Sequence, residues 1–330
     1  MHQPTRRDMI LGAAALPFAA ASCTTMSAAK PPAFKISLAQ WSFHKRLYGS
    51  SFGDAMRGRS YEEFVRAHRE APQTVLRGDL DPLDFPVIAR RDFDIGAVEY
   101  VNRFYMAHAT DRAYLTELKH RCESNGVESR LIMCDDEGNL GDPDNAGRAQ
   151  AVENHRKWLE AAQFLGCFAI RVNARSAGSY DEQMRLAADG LHRLAELGDQ
   201  HGLDVIVENH GGLSSNGQWL ASVMRMGDHR RLGTLPDFGN FKLNDTEEYD
   251  RYQGVAEMMP FAKAVSAKCY DFDAATGNET TLDYPRLMRI VTDAGYHSFL
   301  GIEFEGDRLS EADGVRACKK LLERIRDTGA

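Results

Sequence analysis

Three acidic residues in this chain stand where apolar runs stop. Glu208 closes the run 203–209, Asp237 follows the run 232–236, and Glu303 lies near the end of 299–304. Brought into one pocket, three like charges are costly, because each carboxylate loses several kcal/mol on leaving water unless something neutralises it. A divalent cation does so, and hard carboxylate oxygens suit Mg²⁺ or Mn²⁺ better than a metal that seeks thiolates. Separate salt bridges to Arg or Lys on neighbouring strands are the plainer alternative.

Other polar groups recur at the same kind of position. His210 is two residues beyond Glu208, and Lys268 two beyond Ser266. In a strand, residues two apart share a face, so each pair points to one side. His210 is read as an acid/base, since imidazole titrates near neutral pH, with metal ligation as the other role. Lys268 is read as a site residue, with a salt bridge to Glu303 or Asp237 as its plainer role. Trp41, Glu99, Arg171, Asn173 and Asn240 also sit at run ends and are assigned to substrate hydroxyls, since small polar ligands are held by aromatic walls with a few polar groups. For Trp41 a core position at the entrance serves equally well. Asp135, Asp136 and Glu137 read as an exposed acidic turn.

The elements that must position these groups follow from the hydrophobic pattern. Apolar runs at 35–41, 95–101, 128–134, 168–173, 203–209, 232–236, 262–268 and 299–304 are rich in Val, Ile, Leu or Phe. Several lack polar alternation, as expected of parallel strands covered on both faces. Segments of helical period separate them at 112–124, 146–165, 181–201, 219–226, 247–258, 284–294 and 311–327. Gly166, Gly202 and Gly295 follow such segments, where a left-handed residue ends a helix. Eight strands alternating with helices give a (β/α)₈ barrel, whose chemistry sits at the C-terminal ends of its strands. The long first connection, 41–95, must hold an extra loop and helices, including 61–68 and 86–90. An open doubly wound sheet is the second architecture, but no glycine-rich turn follows the first run.

The net charge of −8 argues against a nucleic-acid binder, whose footprint is usually basic. At the N-terminus, Arg6-Arg7-Asp8 precedes an alanine-rich apolar stretch ending near Ala21, which has the form of a twin-arginine export signal. Residues 1–33 are therefore read as signal and linker and 34–330 as one barrel domain, with a periplasmic destination and no membrane-spanning helix in the mature protein. Cys23 is a candidate lipid anchor. The remaining cysteines, Cys122, Cys134, Cys167, Cys269 and Cys318, have no CxxC spacing and read as buried thiols. Oligomeric state is left open, association of identical chains included.

From about Phe34 onward the chain resembles the sugar isomerase/epimerase superfamily of xylose isomerase-like barrels. The motifs that carry the resemblance are Val207-Glu208-Asn209-His210-Gly211-Gly212, Pro236-Asp237-Phe238-Gly239-Asn240-Phe241, Val265-Ser266-Ala267-Lys268-Cys269-Tyr270-Asp271 and Gly301-Ile302-Glu303-Phe304-Glu305-Gly306. The resemblance implies four metal ligands, Glu, Asp, His and Glu, on strands five to eight. Glu208, Asp237 and Glu303 match three of them, while Ser266 stands where the histidine belongs. His210, water, substrate oxygens or the charge of Lys268 are the ways to complete the site.

Proton transfer on a non-phosphorylated sugar or keto-sugar is the expected chemistry, with Glu208 and Glu303 taking and returning the proton as the resemblance implies. Expulsion of a leaving group by the same site, as in a lyase or hydratase on an oxidised glycoside, is the alternative. A sugar-binding barrel without catalysis also stays open because of Ser266. The family's apurinic endonucleases fit less well, since they need more histidines at strand ends and a basic surface.

Overall fold

A computed structural model describes residues 34–328. The twin-arginine segment, the linker and Cys23 lie outside the described residues. Eight strands form: β1 (Lys35–Ala39), β2 (Ala97–Val101), β3 (Glu128–Met133), β4 (Ala169–Val172), β5 (Asp204–Glu208), β6 (Leu232–Leu235), β7 (Val265–Cys269) and β8 (Phe299–Phe304). All pairings are parallel, in the order β6-β5-β4-β3-β2-β1-β8-β7.

The ring closes between β6 and β7, through the isolated bridges Thr234–Ala262 and Asp237–Ser266. The Ser266 amide donates to the Pro236 carbonyl at 2.9 Å, and the Phe238 amide to the Ser266 carbonyl at 3.2 Å. Pro236 has no N–H to give, so a regular ladder cannot run through this joint. The result is a (β/α)₈ barrel.

Helices cover the strands because each turns an apolar stripe inward. Phe85–Phe93, Arg112–Ser124, Asn145–Leu165, Tyr180–Gln200, Gly217–Gly227, Arg251–Met258, Tyr284–Asp293 and Glu311–Thr328 precede or follow the strands in alternation. Tyr180–Gln200 starts with a capping box, in which the Ser179 hydroxyl accepts from the Glu182 amide and the Glu182 carboxylate accepts from the Ser179 amide. Asn145–Leu165 stops at Gly166, whose φ of 82° is left-handed and costs a glycine little. Trp158 on Asn145–Leu165 and Trp219 on Gly217–Gly227 are fully buried, and burying side chains of this size stabilises by about 2–3 kcal/mol each. The five described cysteines are free and buried, as read from sequence.

Element ends move by a few residues, and two starts move most. The helix read at 247–258 begins only at Arg251, because the Asp250 side chain caps it and residues Lys242 and Glu248 form an antiparallel bridge before it. The strand read at 262–268 runs Val265–Cys269, since Ala262 makes only the isolated bridge to Thr234.

The long first connection folds into Gln40–Phe43, His44–Tyr48, Phe52–Met56 and Tyr61–Glu70 before Phe85–Phe93. Its aromatics, joined by Phe104 from beyond β2, pack around Trp41. His44 and Phe104 stack on the indole at 4.9 and 5.8 Å between centroids, and Phe52 meets its edge at 5.7 Å. Helix Tyr61–Glu70 buries Phe64 and His68 on one side and turns Tyr61, Val65 and Arg69 to a cavity on the other.

Candidate active site

The cavity opens at the C-terminal ends of the strands and measures about 1070 Å³. Trp41, Arg171, Asn173, His210, Glu303 and Glu305 are among its lining residues. Glu208, Asp237 and Lys268 lie behind this lining and are 1%, 0% and 2% exposed. Each residue of the triad Glu208, Asp237 and Glu303 offers an oxygen within 4.8 Å of the other two.

Every carboxylate of the triad has one oxygen fixed by directed donors. Glu208 Oε1 accepts from the Asn240 side-chain amide at 2.8 Å. Asp237 Oδ1 accepts from the backbone amides of Gly239 and Asn240, both at 2.8 Å. Glu303 Oε1 accepts from Lys268 Nζ at 2.7 Å. The second oxygens are poorly served. Ser266 Oγ lies 2.7 Å from Asp237 Oδ2 and 3.2 Å from Glu303 Oε2, but a hydroxyl has a single hydrogen for the two. Glu208 Oε2 sits 2.6 Å from Arg171 Nε, yet the alignment makes no hydrogen bond and both atoms are left without one. That contact is charge attraction alone.

The charges do not balance. Glu208, Asp135, Asp237, Glu303 and Glu305 surround two cations, Arg171 and Lys268. Burial, with Glu303 adding to it and Arg171 opposing, pushes the Glu208 pKa up to about 7. Burial likewise raises Asp237 to about 7, against the pull of Lys268. For Lys268 burial disfavours the ammonium, but Glu303, Glu305 and Asp237 together outweigh it and hold its pKa well above the usual range. A hard divalent ion fits this donor set: buried oxygens short of donors, and surplus negative charge.

Asn240 orients Glu208 and is not itself among the lining residues. Asn173 donates to Asp135 Oδ1 at 2.8 Å, and its own carbonyl oxygen is buried without a donor. Arg171 joins Asp135, at 2.8 Å, to Glu208. His210 lines the cavity with Nδ1 unpartnered, and burial, then Arg171, lowers its pKa to about 4, so the imidazole is neutral. Trp41 Nε1 donates to Glu305 Oε1. Glu99 does not reach the cavity: it hydrogen-bonds Ser37 at 2.6 Å deep in the barrel, opposite Gly301.

The acidic turn after β3 is not exposed. Asp135 and Glu137 are buried, Asp135 holding Arg171 and Asn173, and Glu137 accepting from Trp158 Nε1 at 2.8 Å. An arginine and an indole close by satisfy charges that in isolation suit solvent. Glu305 is a further site residue that sequence reasoning passed over. It lies 3.0 Å from Lys268 Nζ, and burial disfavours its charge but Lys268 outweighs that and lowers its pKa. The signal was available, since Glu305 is two residues beyond Glu303 and Asp135 two beyond Met133, hence on the inward faces.

A family model described as xylose isomerase-like TIM barrel matches residues 89–327. The C-glycoside deglycosidase alpha subunit of Arthrobacter globiformis is 39% identical over 67 residues, a stretch spanning 19% of this chain and 19% of that relative. Among solved structures, 3-keto-D-glucoside 4-epimerase from E. coli superposes with a TM-score of 0.57 at 16% identity, covering 74% of this chain and 94% of that one. The IolI protein with a bound zinc atom gives a TM-score of 0.61 at 9% identity, covering 89% and 99%.

Proposed function

The chain belongs to the xylose isomerase-like TIM-barrel family, and from that premise we propose that it is a divalent-metal-dependent isomerase or epimerase of a non-phosphorylated sugar or keto-sugar. The observation that carries the reading is the buried triad whose oxygens approach within 4.8 Å beneath a strand-end cavity. Mg²⁺ or Mn²⁺ held by Glu208, Asp237 and Glu303 would supply polarisation of a carbonyl and its neighbouring hydroxyl. The epimerase neighbour supports this chemistry, and the neighbour with a bound zinc atom supports a metal ion in a barrel of this fold.

The chain's own groups do the rest. Glu208 and Glu303 take and return the proton at the carbon between carbonyl and hydroxyl, a role worth roughly 10²–10⁴-fold in rate for a well-placed carboxylate. Lys268 fixes Glu303, and Asn240 fixes Glu208, so neither needs to reorganise during transfer. The unpartnered Asn173 oxygen and His210 Nδ1 accept from substrate hydroxyls. Held neutral, His210 is a better acceptor than a proton store. Trp41 acts through Glu305, which it anchors toward the cavity.

The deglycosidase relative favours a second reading. After the same proton abstraction, an oxidised glycoside expels its substituent, which is lyase chemistry. Export through the twin-arginine segment would place either reaction in the periplasm, on sugars without phosphate. Solvent deuterium exchange into free keto-sugars and keto-glycosides, followed by mass spectrometry, tests the proposal. Exchange by the metal-loaded protein and a loss of at least about 100-fold in Glu303→Gln are expected, with the melting temperature little changed. Undiminished exchange in Glu303→Gln overturns the assignment, and no exchange in the wild type points to a binding protein.

A further inference from the structure

We propose that the Ser266 hydroxyl is the fourth oxygen of the cation site, and that it makes the site select a hard ion, Mg²⁺ or Mn²⁺, against Zn²⁺. The inference rests on the metal reading above and concerns what the serine does to it. Ser266 is 1% exposed and sits on β7, directly across the closing joint from Asp237. Its oxygen lies between Asp237 Oδ2 and Glu303 Oε2, at 2.7 and 3.2 Å. These are the two oxygens that Gly239, Asn240 and Lys268 leave free. The third, Glu208 Oε2, is buried with no hydrogen bond at all.

A hydroxyl carries two lone pairs beside its hydrogen, so Ser266 can donate to one carboxylate and still offer a lone pair to a cation. Serine and threonine hydroxyls hold Mg²⁺ in phosphate-binding loops in the same manner. His210 is a poorer fourth ligand, because neither of its ring nitrogens joins Glu208, Asp237 and Glu303 in the group of donor atoms that lie within 4.8 Å of one another. Lys268 is excluded as a ligand: two carboxylates hold it as an ammonium, which has no lone pair. The donor set is then oxygen only. Imidazole and thiolate favour Zn²⁺, whereas carboxylate and hydroxyl oxygens suit Mg²⁺ and Mn²⁺.

The test is cation binding to the full chain, independent of any substrate. Mn²⁺ is titrated by the loss of its free electron paramagnetic resonance signal, with Mg²⁺ and Zn²⁺ as competitors. Ser266→Cys exchanges the hard oxygen for a soft sulfur of similar size, and Ser266→Ala removes the donor. Expected are Mn²⁺ binding about tenfold weaker in Ser266→Ala, and a Zn²⁺/Mn²⁺ affinity ratio at least about tenfold higher in Ser266→Cys. Melting curves confirm that both variants fold, and if one fails, the other still decides. Wild-type affinities retained in Ser266→Ala, or an unchanged ratio in Ser266→Cys, overturn the role of the serine while leaving the metal site. A wild type that binds no divalent ion overturns the site itself and this inference with it.

Discussion

Lys268→Met isolates the electrostatics of the site. The ammonium lies 2.7 Å from Glu303, 3.0 Å from Glu305 and 3.9 Å from Asp237, and is 2% exposed. Methionine keeps most of the stem's volume, so packing is nearly conserved and the loss is the charge. Deleting one partner of a buried pair strands the other, at about 3–5 kcal/mol. For a domain of this size each kcal/mol moves the midpoint by about 2 °C, so the variant in EDTA melts about 6–10 °C below wild type. Saturating Mn²⁺ restores more stability to the variant than to the wild type, because the ion meets one less competing positive charge. Thermal melts of both proteins in EDTA and in Mn²⁺ give the four numbers needed. A loss under about 1 kcal/mol in EDTA would refute the argument that Lys268 is the counter-charge of the buried carboxylates.

Two further substitutions probe the frame around the site. His68 donates from Nδ1 to the Phe64 carbonyl at 2.8 Å, which makes Nε2 the acceptor for Tyr48, and burial lowers its pKa from 6.5 to about 4. A depressed histidine contributes stability in full above the unfolded pKa and loses it as pH falls toward the folded one. That loss is about 2 kcal/mol between pH 7 and pH 5, and urea melts of His68→Gln should lack it; equal pH slopes in the two proteins would refute the assignment. A Cβ on Gly301 would stand 2.5 Å from Glu99 Oε2, so Gly301→Ala costs about 1–3 kcal/mol in denaturant melts. Adding Glu99→Ala should recover part of that cost, and simple additivity of the two changes would show that the clash is not the cause.

The barrel was legible because its strands are mostly buried and several read as apolar runs without polar alternation; β8 ends at Phe304 in both sequence and structure. The triad followed from the same frame, since strand ends are where a barrel collects polar groups. Asp135 was within reach of the two-residue alternation but read as an exposed acid, and Glu305 received no role, because the partners that bury them, Arg171 and Lys268, are distant in sequence. Glu99 was misleading for the opposite reason. Its place at a strand end suggested the cavity, while the Ser37 hydroxyl holds its carboxylate inside the barrel, in room left by the missing side chain at Gly301. The course of residues 41–95 was not legible in detail, because short helices packed by aromatic rings leave little period to read.

The joint between β6 and β7 has a mechanical consequence. It is the only neighbour contact of the ring among the described residues that no regular ladder secures, and Asp237 and Ser266 face each other across it. Anything that grips both side chains acts as a clasp on the hoop. Occupancy should therefore be felt first in the amides of Ser266 and Phe238, which would exchange with solvent more slowly once the clasp is shut.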